Sequence, residues 1–238
     1  TPGSSRAPQE ADIFTVAGDP DTYMVVPSYW WDNDVSEVEV YRWLPNLNNG
    51  LGCWGGTSAC STPLPGSFTW GPAWGTPAEV FTIGSDTNPY LLVGSYYSTP
   101  DSTLYKWLPA QKCFGRGTTC GALIQRFNTS TTLRQWSAAE TYEPTPGEVY
   151  LIGGFGVANT SPNTLGQGAR VFKWLPPPAN GGLGCFGKGT TCAANDILPS
   201  QTVAGGQGYN DLSLFKVNGE QYLAVTQTTD GNSSGEIR

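Results

Sequence analysis

One five-residue motif occurs three times in this chain. Tyr41-Arg42-Trp43-Leu44-Pro45 returns as Tyr105-Lys106-Trp107-Leu108-Pro109 and again as Phe172-Lys173-Trp174-Leu175-Pro176, at spacings of 64 and 67 residues. A second motif keeps step with it: Tyr23-Met24-Val25-Val26, Tyr90-Leu91-Leu92-Val93, Tyr150-Leu151-Ile152-Gly153 and Tyr222-Leu223-Ala224-Val225 recur at 67, 60 and 72. Self-similarity on this scale constrains the fold strongly, because it marks units that cannot bury both of their own faces and must stack on neighbours of the same kind.

Within each unit the apolar runs are short and rich in aromatic and β-branched residues, which favours strands. Phe14-Thr15-Val16, Phe81-Thr82-Ile83 and Leu214-Phe215-Lys216-Val217 precede the Tyr-led run, with Trp136 to Tyr142 as the weakest copy. Gly84 to Pro89 and Asn218-Gly219-Glu220 read as hairpin connections. A third run ends in the Trp, and a fourth follows the cysteines: Phe68-Thr69-Trp70, Leu123 to Phe127, and Ser200 to Val203. Gly and Pro supply 31 and 19 of 238 residues, a turn-rich composition, and no amphipathic helix longer than a turn or two is visible. Four strands per repeated unit predict an all-β fold, a β-propeller of four-stranded antiparallel blades. A β-sandwich is the rival, but it does not need whole-unit repetition. The boundaries are 1–11 as an N-terminal extension or closing strand, 12–77, 78–134 and 135–210 as blades, and 211–238 as a partial fourth blade. Its last residues, Gly235-Glu236-Ile237-Arg238, match the entry to Glu39-Val40-Tyr41-Arg42-Trp43. Three arrangements fit an unfinished blade: a segment of a longer chain or larger propeller, a four-bladed ring closed by the first ten residues, or a blade completed by a neighbouring subunit.

The order of these strands resembles the EAR (or EPTP) repeat of extracellular seven-bladed propellers. Tyr90 to Val93 followed by Leu104-Tyr105-Lys106-Trp107 matches its sequence of strands, and Gln125 and Gln201 fall where its Gln would. The resemblance implies an extracellular propeller. A cysteine-bearing insertion after each Trp departs from that family.

All six cysteines belong to three copies of one element: Cys53-Trp-Gly-Gly-Thr-Ser-Ala-Cys60, Cys113-Phe-Gly-Arg-Gly-Thr-Thr-Cys120 and Cys185-Phe-Gly-Lys-Gly-Thr-Thr-Cys192. Six cysteines allow fifteen pairings, and the repeat singles out one, each loop closed on itself. Three disulfides place the chain in an oxidising compartment, extracellular or secreted. Asn128-Thr-Ser, Asn159-Thr-Ser and Asn232-Ser-Ser are glycosylation acceptors in polar stretches, which agrees. The chain starts Thr1-Pro2-Gly3 without Met, which reads as processed or trimmed, so a signal peptide would lie outside this sequence.

There is no histidine, which removes the commonest general base and zinc ligand. Asp19-Pro-Asp21 and Asp32-Asn-Asp34 read as turns rather than calcium loops. Glu39, Glu79, Glu140, Glu148 and Asp211 stand near strand starts as candidate paired carboxylates, with solvated strand ends the plainer reading. A net charge of −7 lacks the basic footprint for nucleic acid, and no apolar run is long enough to span a membrane. Tyr29, Trp30, Trp31, Tyr96 and Tyr97 interrupt polar stretches and are the candidate ligand-binding aromatics, whereas Trp43, Trp107 and Trp174 are expected to pack between blades. The sequence therefore predicts a non-enzymatic interaction or structural module without cofactor or metal. Its partners would be other extracellular proteins or copies of itself, meeting through open blade edges. A lectin propeller binding glycans and a carboxylate-dependent glycosidase are the alternatives.

Overall fold

A computed structural model of the 238-residue chain describes residues 6–8, 11–30, 35–71, 75–95, 102–127, 136–155, 169–192, 201–203, 208–229 and 232–237. The Trp31, Tyr96, Tyr97, Asn128 and Asn159 positions, and the Asp32-Asn33-Asp34 stretch, lie outside them. The fold is almost entirely β, in antiparallel sheets. The first sheet comprises β1 (Arg6–Pro8), β2 (Asp12–Thr15), β3 (Thr22–Trp30), β4 (Val35–Leu44), β5 (Cys53–Gly55) and β6 (Phe68–Gly71). The second is built on β7 (Gly75–Ile83), β8 (Asp86–Ser95), β9 (Ser102–Leu108), β10 (Cys113–Arg116) and β11 (Thr119–Cys120), after which β12 spans Gln125–Phe127. The third has β13 (Trp136–Tyr142), β14 (Tyr150–Phe155), β15 (Ala169–Leu175), β16 (Cys185–Lys188), β17 (Thr191–Cys192) and β18 (Gln201–Val203). The fourth is β19 (Gly208–Val217), β20 (Glu220–Thr229) and β21 (Asn232–Ile237). The single helical turn among the described residues, α1 (Ala179–Gly182), follows a cis Pro177–Pro178 bond.

The repeats keep one register. Tyr23, Tyr90 and Tyr150 sit opposite Arg42, Lys106 and Lys173, and Trp43, Trp107 and Trp174 sit opposite Trp54, Phe114 and Phe186. In the fourth sheet Val225 faces Glu236 just as Val26 faces Glu39 in the first. Asn218 and Gly219 join β19 to β20 with positive φ at both positions, the two-residue hairpin geometry that Asn-Gly favours.

The cysteine segments correct the four-strand expectation. They are not loops inserted beside the sheet but hairpin strands that extend it. The second half of each Trp-bearing strand pairs with the cysteine strand. In the first and third sheets the first half pairs with the later strand, β4 with β6 and β15 with β18. Sequence spacing hides this because each cysteine strand is only three or four residues long.

Two compact units result: residues Thr1–Val93 with Thr103–Ile124, and Gly94–Ser102 with Gln125–Arg238. In the first unit Phe14, Tyr23, Val25, Val38 and Val40 meet Leu91, Tyr105, Trp107 and Phe114 across two sheets. Trp107 packs with ring centroids 5.3 Å from Phe14 and 4.8 Å from Tyr23. In the second unit Ala138, Ile152, Ala169 and Leu212 form a core flanked by Leu214 and Leu223. Beside it, Trp136 stacks on Phe172 and touches Phe127.

Candidate functional site

Burial along β3 alternates where the same motif in β8 is buried throughout. Tyr23 and Val25 are buried while Met24 and Val26 are half-buried, whereas Tyr90, Leu91, Leu92 and Val93 are all buried. A strand that alternates has one covered face, and a continuously buried strand has two. The first sheet therefore shows an open face. The registers Ile13↔Met24↔Tyr41, Val26↔Glu39 and Trp43↔Trp54 put these side chains on it. The Trp of the repeat makes the contrast plain: Trp107 is 1% exposed and Trp174 7%, but Trp43 is 36% exposed. The expectation that all three pack between sheets thus fails at Trp43, which rests instead on Gly52 and against Trp54. An added Cβ at Gly52 would lie 2.3 Å from the Trp43 ring, and Gly184 stands in the same relation to Trp174. Both glycines also have positive φ, so the residue before the cysteine is doubly constrained.

A pocket of about 310 Å3 opens on this face, lined by Met24, Val26, Ser28, Glu39, Tyr41, Trp54 and Ser61. Glu39 is buried and accepts a hydrogen bond from the Tyr41 hydroxyl at 3.0 Å, and the buried Ser28 Oγ has no partner. Glu39 is thus no solvated strand end, because it lies in the middle of β4. It is the one acid among the described residues lining the pocket. Rings, hydroxyls and a single carboxylate suit either an apolar partner surface or a sugar.

A second recurring cluster sits at the turn end of the sheets. Arg42 Nη1 lies 3.0 Å from Asp21 Oδ2, Lys106 Nζ 2.5 Å from Asp86 Oδ2, and Lys173 pairs with Glu148. In three of the four Tyr-led motifs a nearby acid holds the Tyr hydroxyl. Tyr23 donates to Asp19 at 2.8 Å, Tyr90 to Asp86 at 2.9 Å and Tyr222 to Glu220 at 2.9 Å. Lys106 and Lys173 lie over the Tyr90 and Tyr150 rings at 5.4 and 5.5 Å. In the first unit Lys112 reaches across to Asp21 Oδ2 at 2.8 Å and Asp19 Oδ2 at 3.5 Å, joining the two sheets. Burial pulls the Asp21 carboxyl upward, but hydrogen bonds from Lys112 and Arg42 outweigh it and hold the group below the usual carboxylate range. The Tyr23 hydroxyl is pushed up to about 12, chiefly by burial and further by its bond to Asp19, against the opposing Lys112 charge. In the sequence Asp19-Pro-Asp21 reads only as a turn, and the cluster is not expected from it. Its signal was present in the basic residue before each Trp and the acid near each hairpin.

Gln125 bridges elements in the second unit. Its Nε2 donates to the Phe186 carbonyl, and its Oε1 accepts from the Phe186 N–H, both at 2.8 Å. A buried amide thereby satisfies two backbone groups as another strand would.

The remaining sequence-derived positions divide as follows. Cys53–Cys60, Cys113–Cys120 and Cys185–Cys192 are disulfide-bonded, with Cα atoms 5.7, 5.8 and 5.6 Å apart. Tyr29 and Trp30 belong to β3, opposite Ser36 and Val35, not to a loop after it. The pairing of β1 with this end of β3 explains the longer strand. Asn232 opens β21, opposite Thr229, instead of lying in a loop. Glu79 and Glu140 fall within β7 and β13, and Asp211 within β19. Among the described residues no group of three or more acidic or cysteine side chains could hold a metal, and no helix is long and apolar enough to cross a membrane. No family model matches the chain, and no curated protein matches it.

Proposed function

We propose that this chain is an extracellular, N-glycosylated, disulfide-stapled repeat module of the β-propeller kind, related to the EAR-type repeats. It acts without catalysis as an interaction or structural element of a surface, matrix or fibre. The observation that carries this reading is the self-closed cysteine hairpin in each of the first three sheets. Each hairpin extends the strand that bears the repeat's Trp, so oxidation stabilises the part of the sheet that carries its packing residue. Its interactions run through sheet surfaces and edges. Among the described residues, β21 pairs on one side only, with β20, which leaves a row of backbone groups available to another strand.

The test is fractionation of the native source, followed by intact mass measurement before and after reduction and enzymatic removal of N-glycans. Recovery from the extracellular fraction, a six-hydrogen mass gain on reduction, and glycan loss at Asn128, Asn159 or Asn232 are the expected results. An intracellular chain with six free thiols would overturn the reading.

The open-face pocket favours the lectin alternative as a second reading, because Trp54 and Tyr41 offer rings beside the Glu39 carboxylate. Glycan-array binding that Trp54→Ala abolishes would support it, and silence of the folded wild-type chain across the array would dismiss it.

A further inference from the structure

The first and second sheets meet through two aromatic pairs. On one side Phe14 and Tyr23 are stacked at 5.4 Å and 22°. On the other Trp107 and Phe114 meet edge to face at 5.1 Å and 69°, and Trp107 seats itself on the stacked pair. Each half of this joint recurs twice more in the chain, once in the buried pairs Trp174–Phe186 and Phe81–Tyr90 and once in two less covered pairs. Trp43 and Trp54, on the open face of the first sheet, meet edge to face at 5.3 Å and 64°. Phe215 and Tyr222 of the fourth sheet are stacked at 5.7 Å and 19°, in the register that pairs Phe14 with Tyr23. The fourth sheet turns Leu212, Leu214 and Leu223 toward the core of its own unit. Strand alternation sets Phe215 on the opposite face with Val217, which is 45% exposed. At the far end of the other half-joint Ile13 is 59% exposed.

We infer that the Trp43–Trp54 face of one copy docks on the Phe215–Tyr222 face of a second copy, reproducing between molecules the joint that Trp107 makes within one. The occupant is set by complementarity, since one chain carries both halves with ring geometries within a few tenths of an ångström and a few degrees of the internal pair. The contact is heterologous, so each copy keeps one free half of each kind and growth proceeds head to tail. It differs from strand addition, because faces rather than edges meet. The internal joint is also tied by Lys112 to Asp19 and Asp21, but the position before Cys53 is Gly52. The intermolecular contact therefore lacks that ion pair, and high salt is expected not to weaken it.

This inference rests on the reading of the repeats as stacking sheets. Its test is sedimentation of the full glycosylated chain across a concentration series at 0.1 and about 1 M salt, where screening separates ionic from apolar contacts. Association that grows with concentration and survives high salt is expected. Ile13→Asp and Val217→Asp change exposed residues, so each is expected to keep the wild-type circular dichroism and to sediment as a monomer. Mixing the two restores one intact joint and gives a 1:1 dimer that grows no further. A wild-type chain monomeric throughout, association lost in high salt, or a Val217→Asp chain that self-associates as wild type would each overturn the inference. None of these outcomes bears on extracellular recovery and oxidised cysteines, so the functional reading stands or falls on its own test. Should either variant lose its fold, Ile13→Lys and Val217→Lys at the same positions give the same readout.

Discussion

Tyr23 answers to three neighbours at once. Its ring receives Trp107, its hydroxyl donates to Asp19, and Lys112 lies 5.7 Å from the ring centroid. Because the folded chain holds the phenol up to about 12, above the ordinary value near 10, the protonated form is favoured by folding. The resulting stability is fully present below pH 10 and lost as pH rises towards 12. Lys112, raised mainly by its bond to Asp21, loses its contribution in the same direction. Urea unfolding between pH 8 and 11.5 should therefore show an alkaline decline that is shallower in Tyr23→Phe. An unchanged slope would mean that Tyr23 ionises no differently in the folded chain. The repeated Tyr was visible in the sequence as a strand residue, but its acid and its cation were not. They come from a hairpin turn and, for Lys112, from the next sheet, and linear order does not reveal either.

At the level of single elements, the cysteine hairpins show how far pattern reading reaches. Identical spacing between paired cysteines made local closure legible. That the hairpin strands continue the sheet was not, because three-residue strands carry too little alternation to register against a turn-rich background. Gln125 stands out in the sequence only through the resemblance, and its role as a substitute strand for Phe186 depends on the fold that brings residues 61 positions apart together. Removing one staple with Cys113→Ala and Cys120→Ala should lower stability by roughly 2–3 kcal/mol, the entropy of closing so short a loop, while the strands stay paired. The check is denaturant unfolding with far-ultraviolet circular dichroism. A loss near zero would indicate that the sheet already confines those residues in the unfolded ensemble.

For the molecule as a whole, the deciding quantity is how much of each sheet another sheet covers. Trp107 and Trp43 occupy the same place in the repeat but differ in exposure, 1% against 36%. Truncation should separate them. Trp107→Ala removes a ring from the joint between two sheets and should cost about 3–5 kcal/mol, whereas Trp43→Ala should cost no more than about half as much. Denaturant titration at a concentration where the chain is monomeric measures the difference, and equal losses would show that Trp43 is covered in solution. Repetition told us that such faces exist, since aromatic and β-branched residues recur in phase. It could not say which copy stays open, because all three motifs read alike and coverage depends on the neighbouring sheet.

The Trp-bearing strands and their cysteine partners are joined by connections of unequal length, eight residues after Leu44, four after Leu108 and nine after Leu175. The register beyond them is the same in all three sheets. Chain length has thus drifted at one joint without disturbing the strands on either side, as a hinge pin lets a strap be let out while the buckle stays put. The buckle here is covalent. Leu51, at the outer bend of one such connection, is largely exposed, which makes that bend a place where foreign sequence can enter while the strands on either side keep their register.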